Sequence, residues 1–223
     1  MEDRSAGCPL RRRRRPIRFV AASEEPVVTS VEHQVRQATG DVAGVGARFA
    51  VVGGLAVSAR AEPRLTRDAD LAIAVRDDEE AERIVLAMQT RGYSVLAVVE
   101  QDATGRLSTV RLGSEGSVVT DLLFASSGIE PEIVERATQI SVVPGLVLPV
   151  ASIGDLIAMK LLARDDRLRP ADADDLRALR DVATDEDWSV ARLAVTLIES
   201  RGFARRRDLV ERLESLIRNG AYG

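Results

Sequence analysis

A short apolar run that ends in two adjacent glycines constrains this chain more than any other feature. Residues 49–52 are Phe-Ala-Val-Val, Gly53 and Gly54 follow, and the apolar pattern resumes at residues 55–57. This pattern predicts a buried strand, a tight turn and then a helix. Glycines at such a junction let a phosphate group approach the backbone N–H groups at the positive end of the helix. Gly53 and Gly54 are therefore candidate phosphate-binding residues.

Two aspartates follow this turn after a gap of thirteen residues, 55–67. Asp68 and Asp70 begin an apolar run that predicts a second strand, and side chains two apart on a strand share a face. Two carboxylates this close repel each other unless a cation lies between them, and their oxygen atoms are ligands that suit Mg²⁺. A third carboxylate, Asp121, interrupts another apolar run. Three carboxylates on adjacent strands can hold two divalent ions and align a nucleoside triphosphate for in-line displacement.

Lys160 is the only lysine among the 31 basic residues of the chain. It lies in an apolar helical pattern, residues 152–163, and a compact ammonium differs from a guanidinium in the phosphate contacts it can make. We interpret it as a phosphate-directed lysine; the alternative is a solvated lysine on a helix surface. Arg64 and Arg67 stand just before Asp68, where they could also touch phosphate.

Three segments follow from composition and periodicity. Residues 1–26 are expected to be a disordered basic tail, because the arginine run at 11–15 repels itself. Residues 27–150 are expected to form an α+β catalytic domain with a mixed sheet, and 151–223 a helical module with Lys160 facing the cleft between them. We predict strands near 48–52, 69–75, 93–99, 107–112, 117–124 and 139–143, and helices near 30–46, 77–90, 130–137, 152–163, from 172, from 184 to 202 and at 204–218.

Several function classes are excluded by composition. With Cys8 the only cysteine and His33 the only histidine, intrachain disulfides, cysteine zinc sites and Ser-His-Asp or Cys-His catalysis do not apply. Aromatic residues make up 3% of the chain, so base stacking is not the main way it grips nucleic acid. No apolar run reaches the roughly 20 residues that span a bilayer, and no secretory signal is present. We therefore expect a cytoplasmic protein without membrane contact.

The order and spacing of these motifs resemble the polymerase-β-like nucleotidyltransferase fold. That fold carries Gly-Gly or Gly-Ser after an apolar residue, then Asp-x-Asp, then a later strand carboxylate. From about residue 30 to 215 the chain is similar to the AbiEii-type nucleotidyltransferase toxins, the group that includes the MenT toxins. The similarity rests on three stretches: Gly-Gly-Leu-Ala-Val with Arg-Leu-Thr-Arg-Asp-Ala-Asp-Leu, Leu-Pro-Val-Ala-Ser-Ile-Gly-Asp-Leu-Ile-Ala-Met-Lys, and Arg-Pro-Ala-Asp-Ala-Asp-Asp-Leu.

This resemblance implies transfer of a nucleotide from an NTP to an RNA acceptor, in MenT-type toxins the 3′ end of tRNA, which blocks translation. It also implies Mg²⁺ or Mn²⁺ as cofactor and a cognate antitoxin as partner. Asp68 and Asp70 would be metal ligands, and Asp121 the third carboxylate, which also draws the proton from the attacking hydroxyl. Lys160 would hold the triphosphate. Relatives often carry lysine before Asp172, where this chain has Ala171.

Charge distribution offers a candidate RNA contact. Residues 1–20 hold seven arginines against Glu2 and Asp3, a net charge of +5, so the rest of the chain carries −9. Arginines gain from counterion release at RNA phosphates. The alternatives are a terminus without function or a start site placed too early. We expect residues 205–207, all arginine, to lie on the last helix, where they are solvated or extend an RNA-binding face. Three aspartates, Asp172, Asp174 and Asp175, are expected to favour a helix start.

Two other functions remain open. A small-molecule nucleotidyltransferase, of the kind that modifies aminoglycosides, would share the metal site and differ in its acceptor pocket. A non-catalytic antitoxin on the same fold would be expected to have lost a metal carboxylate. This chain keeps all three, Asp68, Asp70 and Asp121, which disfavours the second alternative.

Overall fold

The computed structural model describes residues 31–62, 66, 68–102, 104–114, 119–163 and 171–219. The predicted tail at 1–26 and two predicted phosphate contacts, Arg64 and Arg67, lie outside these residues. The elements of the described chain are, in order, α1 (Val31–Gly44), β1 (Arg48–Val52), α2 (Gly53–Arg60), β2 (Asp68–Ala74), α3 (Asp78–Gln89), β3 (Ser94–Glu100), β4 (Leu107–Gly113), β5 (Val119–Leu123), α4 (Glu130–Arg136), β6 (Thr138–Val143), β7 (Leu146–Val150), α5 (Ile153–Ala163), α6 (Ala171–Val182), α7 (Asp185–Ser200) and α8 (Leu209–Asn219).

The strands of the described chain form one mixed sheet in the order β3-β4-β5-β2-β1-β7-β6. Strand β2 at its centre runs parallel to β5 and antiparallel to β1, and β4 is antiparallel to both β3 and β5. The central strands are apolar because both of their faces are covered; Leu71 and Ala72, which lie on opposite faces of β2, are both fully buried. The predicted α+β mixed-sheet class is confirmed.

Helices at the C-terminal end of the chain pack around α5. This helix contacts α6, α7 and α8 and also α2 of the sheet half, so it joins the two parts. Capping agrees with the sequence: Thr184 and Asp187 form a capping box at the start of α7, and Ser152 accepts a hydrogen bond from the backbone of Asp155 at the start of α5. No helix in the described ranges is long and apolar enough to cross a bilayer.

One strand was missed by the sequence analysis. Strand β7 pairs with β6 across the turn at Pro144-Gly145, and Pro149 lies inside it opposite Gln139. Proline lacks an N–H group and argues against an interior strand. It is tolerated here because β7 meets β1 only at its end, where Val51 and Val150 are partners.

Candidate active site

One transverse row of the sheet carries charged residues of the site. The register aligns Val52 on β1 with Asp70 on β2, Asp121 on β5, Arg111 on β4 and Ala97 on β3. All five line one cleft with a volume of about 560 Å³. That volume is within the range of about 300 to 1,000 Å³ that is usual for ligand pockets. Two of the predicted carboxylates, Asp70 and Asp121, are therefore direct neighbours on parallel strands.

Gly53 closes one end of this row, where β1 passes into α2. Its φ is +63°, in the left-handed region that favours glycine. A β-carbon at this position would overlap Oδ2 of Asp70 and would lie 2.6 Å from Cγ of the same side chain. Both the conformation and the close approach therefore require glycine. Gly54 is buried in the first turn of α2 and is not among the residues that line the cleft.

Asp70 lies in a crowded electrostatic environment. The pKa of its carboxyl is raised to about 6, first by burial and then by the charges of Asp121 and Asp68, against the opposing effect of Lys160 and Arg111. Asp68, the first residue of β2, is half-buried and lies outside the cleft lining, yet its charge reaches Asp70. A divalent cation at this position would relieve the repulsion that raises the pKa.

Asp121 makes a bidentate ion pair with Arg111. Nε of Arg111 donates to Oδ1 of Asp121 at 2.8 Å, and Nη2 donates to Oδ2 at 2.7 Å. The Asp121 side chain is 11% exposed and the Arg111 side chain 46%. These two hydrogen bonds and the Asp121 charge raise the pKa of Arg111. Each oxygen of Asp121 keeps a lone pair that Arg111 does not occupy, so this carboxylate can still act as a metal ligand or proton acceptor while the ion pair stays intact.

Lys160 lines the same cleft and is held by two aspartates of α6. Its Nζ lies 2.7 Å from Oδ1 of Asp172 and 2.6 Å from Oδ2 of Asp175, and its side chain is 12% exposed. The alternative of a solvated surface lysine is therefore wrong. Asp172 and Asp175 also do more than favour the start of a helix, because they fix the lysine; of the three, Asp174 is the exposed one.

One carboxylate oxygen in this group is left over. Oδ2 of Asp172 is buried and has no hydrogen-bond partner among the described residues. Asp172 lines the cleft beside Lys160, so this oxygen belongs to the polar lining of the site.

Contacts from two sides hold α5, the helix that carries Lys160. Arg136 of α4 makes a bidentate pair with buried Asp155, with distances of 2.6 Å and 3.1 Å. On the other side, Gly154 approaches α7 so closely that a β-carbon there would lie 2.8 Å from the backbone nitrogen of Ala191. A buried pair and a close helix crossing both restrict movement of α5, so Lys160 has a fixed position relative to the sheet.

The sequence analysis expected the arginines at 205–207 on the last helix, and this expectation is wrong. They lie in the turn between α7 and α8, because α8 begins only at Leu209. Arg205 and Arg206 have φ of 53° and 62°, a conformation that non-glycine residues seldom adopt. Arg205 and Arg207 line the cleft: Nη2 of Arg205 donates to the carbonyl oxygen of Ser126 at 3.1 Å, and Nη1 of Arg207 donates to the carbonyl oxygen of Leu162.

Sequence reasoning missed Arg111 altogether. The sequence does show an arginine among apolar strand residues, and such an arginine usually has an acidic partner. The partner depends on which strand is adjacent to β4, and strand order is not visible in the pattern. The pairing of Lys160 with α6 was missed because the packing of one helix against another is not visible in the pattern either.

A mixed sheet with a glycine turn, strand carboxylates and a lysine-bearing helix around one cleft defines a nucleotidyltransferase. The family model described as nucleotidyl transferase AbiEii toxin, type IV toxin–antitoxin system, matches residues 41–220. The chain belongs to this family, and it is an enzyme that uses an NTP as nucleotide donor.

Three solved structures with a similar fold share little sequence with this chain. The lincomycin-bound lincosamide antibiotic adenylyltransferase LnuA is 14% identical, with 68% of this chain and 98% of that chain covered and a TM-score of 0.47. A nucleotidyltransferase-like protein from Paracoccidioides brasiliensis is 16% identical, with 82% and 91% covered and a TM-score of 0.46. The antibiotic-resistance factor ANT(2'')-Ia is 17% identical, with 84% and 89% covered and a TM-score of 0.45. A comparison with curated protein sequences found no match.

Nucleotidyltransferases of this class generally use divalent metal ions. Among the described residues, no three Asp, Glu, His or Cys side chains are arranged as they stand to hold a metal ion. The donor chemistry fits at Asp68 and Asp70, because two oxygen donors share a strand face and crowd one another. Asp121 fits as a third donor through the lone pairs that Arg111 leaves unoccupied.

Proposed function

We propose that this enzyme transfers a nucleoside monophosphate from an NTP to an RNA acceptor, the 3′ end of tRNA, and thereby blocks translation as the toxin of a toxin–antitoxin pair. The observation that carries the proposal is the row that joins Gly53 at the start of α2 to Asp70 and Asp121. It combines a backbone site for phosphate with neighbouring carboxylates for a cation.

The reaction is an in-line displacement at the α-phosphorus of the NTP. The acceptor hydroxyl oxygen forms a bond to this phosphorus while the bond to the bridging oxygen of the β-phosphate breaks. Pyrophosphate leaves with the electron pair, and the hydroxyl proton passes to a carboxylate, for which we assign Asp121. The protein's contribution to such a step is mainly placement and charge.

The other roles in this proposal are phosphate binding and metal binding. The N–H groups at Gly53 and Gly54 bind the triphosphate at the start of α2, and Arg67, just before β2, touches phosphate. Asp68 and Asp70, with Asp121, hold Mg²⁺ or Mn²⁺. The bound ion neutralises phosphate charge and orients the phosphate oxygens.

Lys160 provides a fixed positive charge toward the triphosphate. Its ammonium has three donors, and Asp172 and Asp175 engage two of them. We assign the third to a phosphate oxygen. The two aspartates thus hold the head group in place at the cleft, which limits the rotamer freedom that a free lysine would lose on binding.

An RNA acceptor is supported by family membership and by the charge of the chain. The family implies a cognate antitoxin as protein partner. Residues 1–20 carry seven arginines, and Arg205 and Arg207 stand at the cleft. Positive charge next to a catalytic cleft attracts a polyanion.

A growth experiment tests the assignment as a toxin, and a comparison of two acceptors tests whether RNA is the substrate that receives the nucleotide. Expression of the wild-type chain without its antitoxin should stop growth and protein synthesis, and Asp70→Asn should not. Purified enzyme should then be offered tRNA and an aminoglycoside separately with the same labelled NTP. Label on tRNA alone supports the proposal, whereas label on the aminoglycoside alone would establish the small-molecule alternative.

A further inference from the structure

Strand order gives the cleft a direction. From the Gly53 end, the row runs β1, β2, β5, β4 and β3, so Asp70, Asp121 and Arg111 follow one another. Neighbouring strands are about 4.8 Å apart, so Arg111 lies roughly 14 Å from the β1 end. The two ends of the row are thus far enough apart to contact different parts of a reacting complex.

An in-line reaction needs the leaving group and the attacking oxygen on opposite sides of the phosphorus. This inference rests on the proposed function, in which the triphosphate lies at Gly53. The α-phosphorus then lies over Asp70 and Asp121, which follow Gly53 along the row. Pyrophosphate then leaves toward β1, and the acceptor enters from the side of β4. Arg111 is the charged residue of the row on that side.

The geometry of Arg111 suits it to bind an anion at a fixed place. Two of its nitrogens are held by Asp121, and no hydrogen bond from Nη1 is present among the described residues. The side chain remains 46% exposed at the cleft. A guanidinium held in this way keeps donors for a phosphate oxygen at little further cost in side-chain entropy.

The floor beyond Arg111 is uncharged. Ala97 and Val99 on β3, Thr109 on β4 and Leu123 on β5 line this part of the cleft. Ala97 is the row partner of Arg111, and Val99, Thr109 and Leu123 form the adjacent row. An uncharged surface beside one guanidinium suits a sugar and base next to their phosphate.

We propose that Arg111 binds the phosphodiester of the 3′-terminal nucleotide of the RNA acceptor. This phosphate lies one sugar away from the attacking 3′ hydroxyl. One strand spacing, about 5 Å, separates Arg111 from Asp121 and is a comparable length. Arg111 is thus an acceptor-binding residue, and its ion pair with Asp121 links acceptor binding to the carboxylate that receives the proton.

The test compares Arg111→Gln with Arg106→Gln. Arg106 immediately precedes the same strand and makes an ion pair with Asp78 at 3.1 Å, outside the cleft lining. Arg111→Gln should raise the KM for RNA about tenfold, the effect expected for removal of one charge-assisted hydrogen bond. The KM for NTP should stay within about twofold of wild type. For Arg106→Gln, both constants should match wild type.

Salt dependence separates a phosphate contact from a structural role. Plots of log affinity for RNA against log salt, measured without NTP, should become shallower by about 0.7 in slope in Arg111→Gln, the value for one phosphate on a single strand. Arg106→Gln should keep the wild-type slope. If Arg111→Gln does not fold, Arg111→Lys replaces it in the test. Arg111→Lys should retain an ion pair with Asp121 and the wild-type salt slope. It should still raise the KM for RNA several-fold, because lysine lacks the bidentate geometry of the guanidinium.

Failures of the two proposals are distinguishable. A wild-type enzyme that labels no RNA contradicts the proposed acceptor before any variant is made, and the role of Arg111 falls with it. A wild-type enzyme that labels RNA, with a raised KM for NTP in the folded Arg111 variant, overturns only the acceptor assignment of Arg111. Unchanged constants for both substrates would overturn it as well.

Discussion

Gly53 and Asp70 are in such close contact that a β-carbon on the glycine would overlap the aspartate's Oδ2 and lie 2.6 Å from its Cγ. The contact joins the end of β1 to β2 across an antiparallel ladder in which Val52 and Asp70 are partners. The phosphate-binding turn and the carboxylate are therefore one structural unit. A change at either residue moves the other.

The first prediction concerns Gly53→Ala. The added methyl group must displace the Asp70 carboxylate, and a misplacement of about an ångström can cost on the order of a hundredfold in rate. The backbone cost of alanine at positive φ is a further ~1–2 kcal/mol of unfolding free energy. Gly46→Ala is the matched control, since Gly46 has φ of +79° with nothing within 4 Å of a β-carbon. Chemical denaturation should show a stability loss in both variants, larger in Gly53→Ala because its methyl group also displaces the buried Asp70 side chain. Single-turnover rates should fall only in Gly53→Ala, and a wild-type rate in that variant would contradict the coupling.

The second prediction concerns Lys160. Its removal breaks the buried ion pairs with Asp172 and Asp175, so Lys160→Ala should lower the unfolding free energy by about 3–5 kcal/mol. Lys160→Arg keeps the charge but places its donors differently, and the rate should fall about a hundredfold. Thermal melts and single-turnover transfer measure both effects. Near wild-type transfer in Lys160→Arg would mean that any cation suffices.

A triple variant separates the stability of this group from its role in transfer. Lys160→Met with Asp172→Asn and Asp175→Asn replaces two buried carboxylates and one ammonium by neutral groups, which is often close to neutral for stability. We expect its melting temperature to recover most of the loss seen in Lys160→Ala, with transfer still absent. Recovery of transfer as well would show that Lys160 serves only the fold.

The third prediction follows from the pKa of Asp70, which is raised to about 6 by burial and then by Asp121. Between about pH 4 and 6 the metal-free folded protein binds the Asp70 proton more tightly than the unfolded chain does, so stability falls as pH rises through this window. The loss amounts to ~3 kcal/mol at most, from about two pKa units. Asp70→Asn removes it, so with chelator present this variant should be more stable than wild type at pH 8 and equal to it at pH 4.

The exposed Asp181 provides the control for this pH series. Asp181→Asn should follow the wild-type stability curve at every pH, because the carboxyl is in contact with solvent. Urea denaturation at each pH in chelator gives the three curves. A constant difference between Asp70→Asn and wild type from pH 4 to pH 8 would rule out the raised pKa.

Local patterns gave the parts of the site that adjoin one another along the chain. The strand, glycine turn and helix at 48–60 and the Asp-x-Asp strand follow from periodicity and glycine positions, and the structure has them within a residue or two. Alternation on a strand also put Asp68 and Asp70 on one face before any fold was known. The α+β class and the lysine-bearing helix followed from the same local signals.

Pairings between distant segments did not follow from the sequence. Arg111 meets Asp121 because β4 is adjacent to β5, and Lys160 meets Asp175 because α6 folds back along α5. An acidic helix start gives the same pattern whether it serves the macrodipole or a buried lysine. The predicted helix at 204–218 included the α7–α8 turn, because the left-handed backbone at Arg205 and Arg206 is not visible in the sequence pattern.

The fourth prediction concerns residues 1–20. Deleting them removes seven arginines, and should weaken RNA binding and flatten its salt dependence by about 0.7 in slope for each phosphate that is no longer bound. Transfer to a saturating RNA concentration should persist, since the catalytic cleft is built from residues after 50. Filter binding over a salt series gives the slope, and a slope identical to that of the full chain would mean that these arginines do not bind RNA.

Nucleotide transfer to RNA at the Asp70 site can be tested directly by one labelling experiment. Purified wild-type chain and Asp70→Asn are incubated with total RNA, Mg²⁺ or Mn²⁺ and each α-labelled NTP in turn, with excess chelator in a parallel set. We expect label on RNA of tRNA size with at least one NTP, release of pyrophosphate, and no label with chelator or with folded Asp70→Asn. Absence of labelled RNA with all four NTPs, or full labelling by Asp70→Asn, would contradict the proposed function.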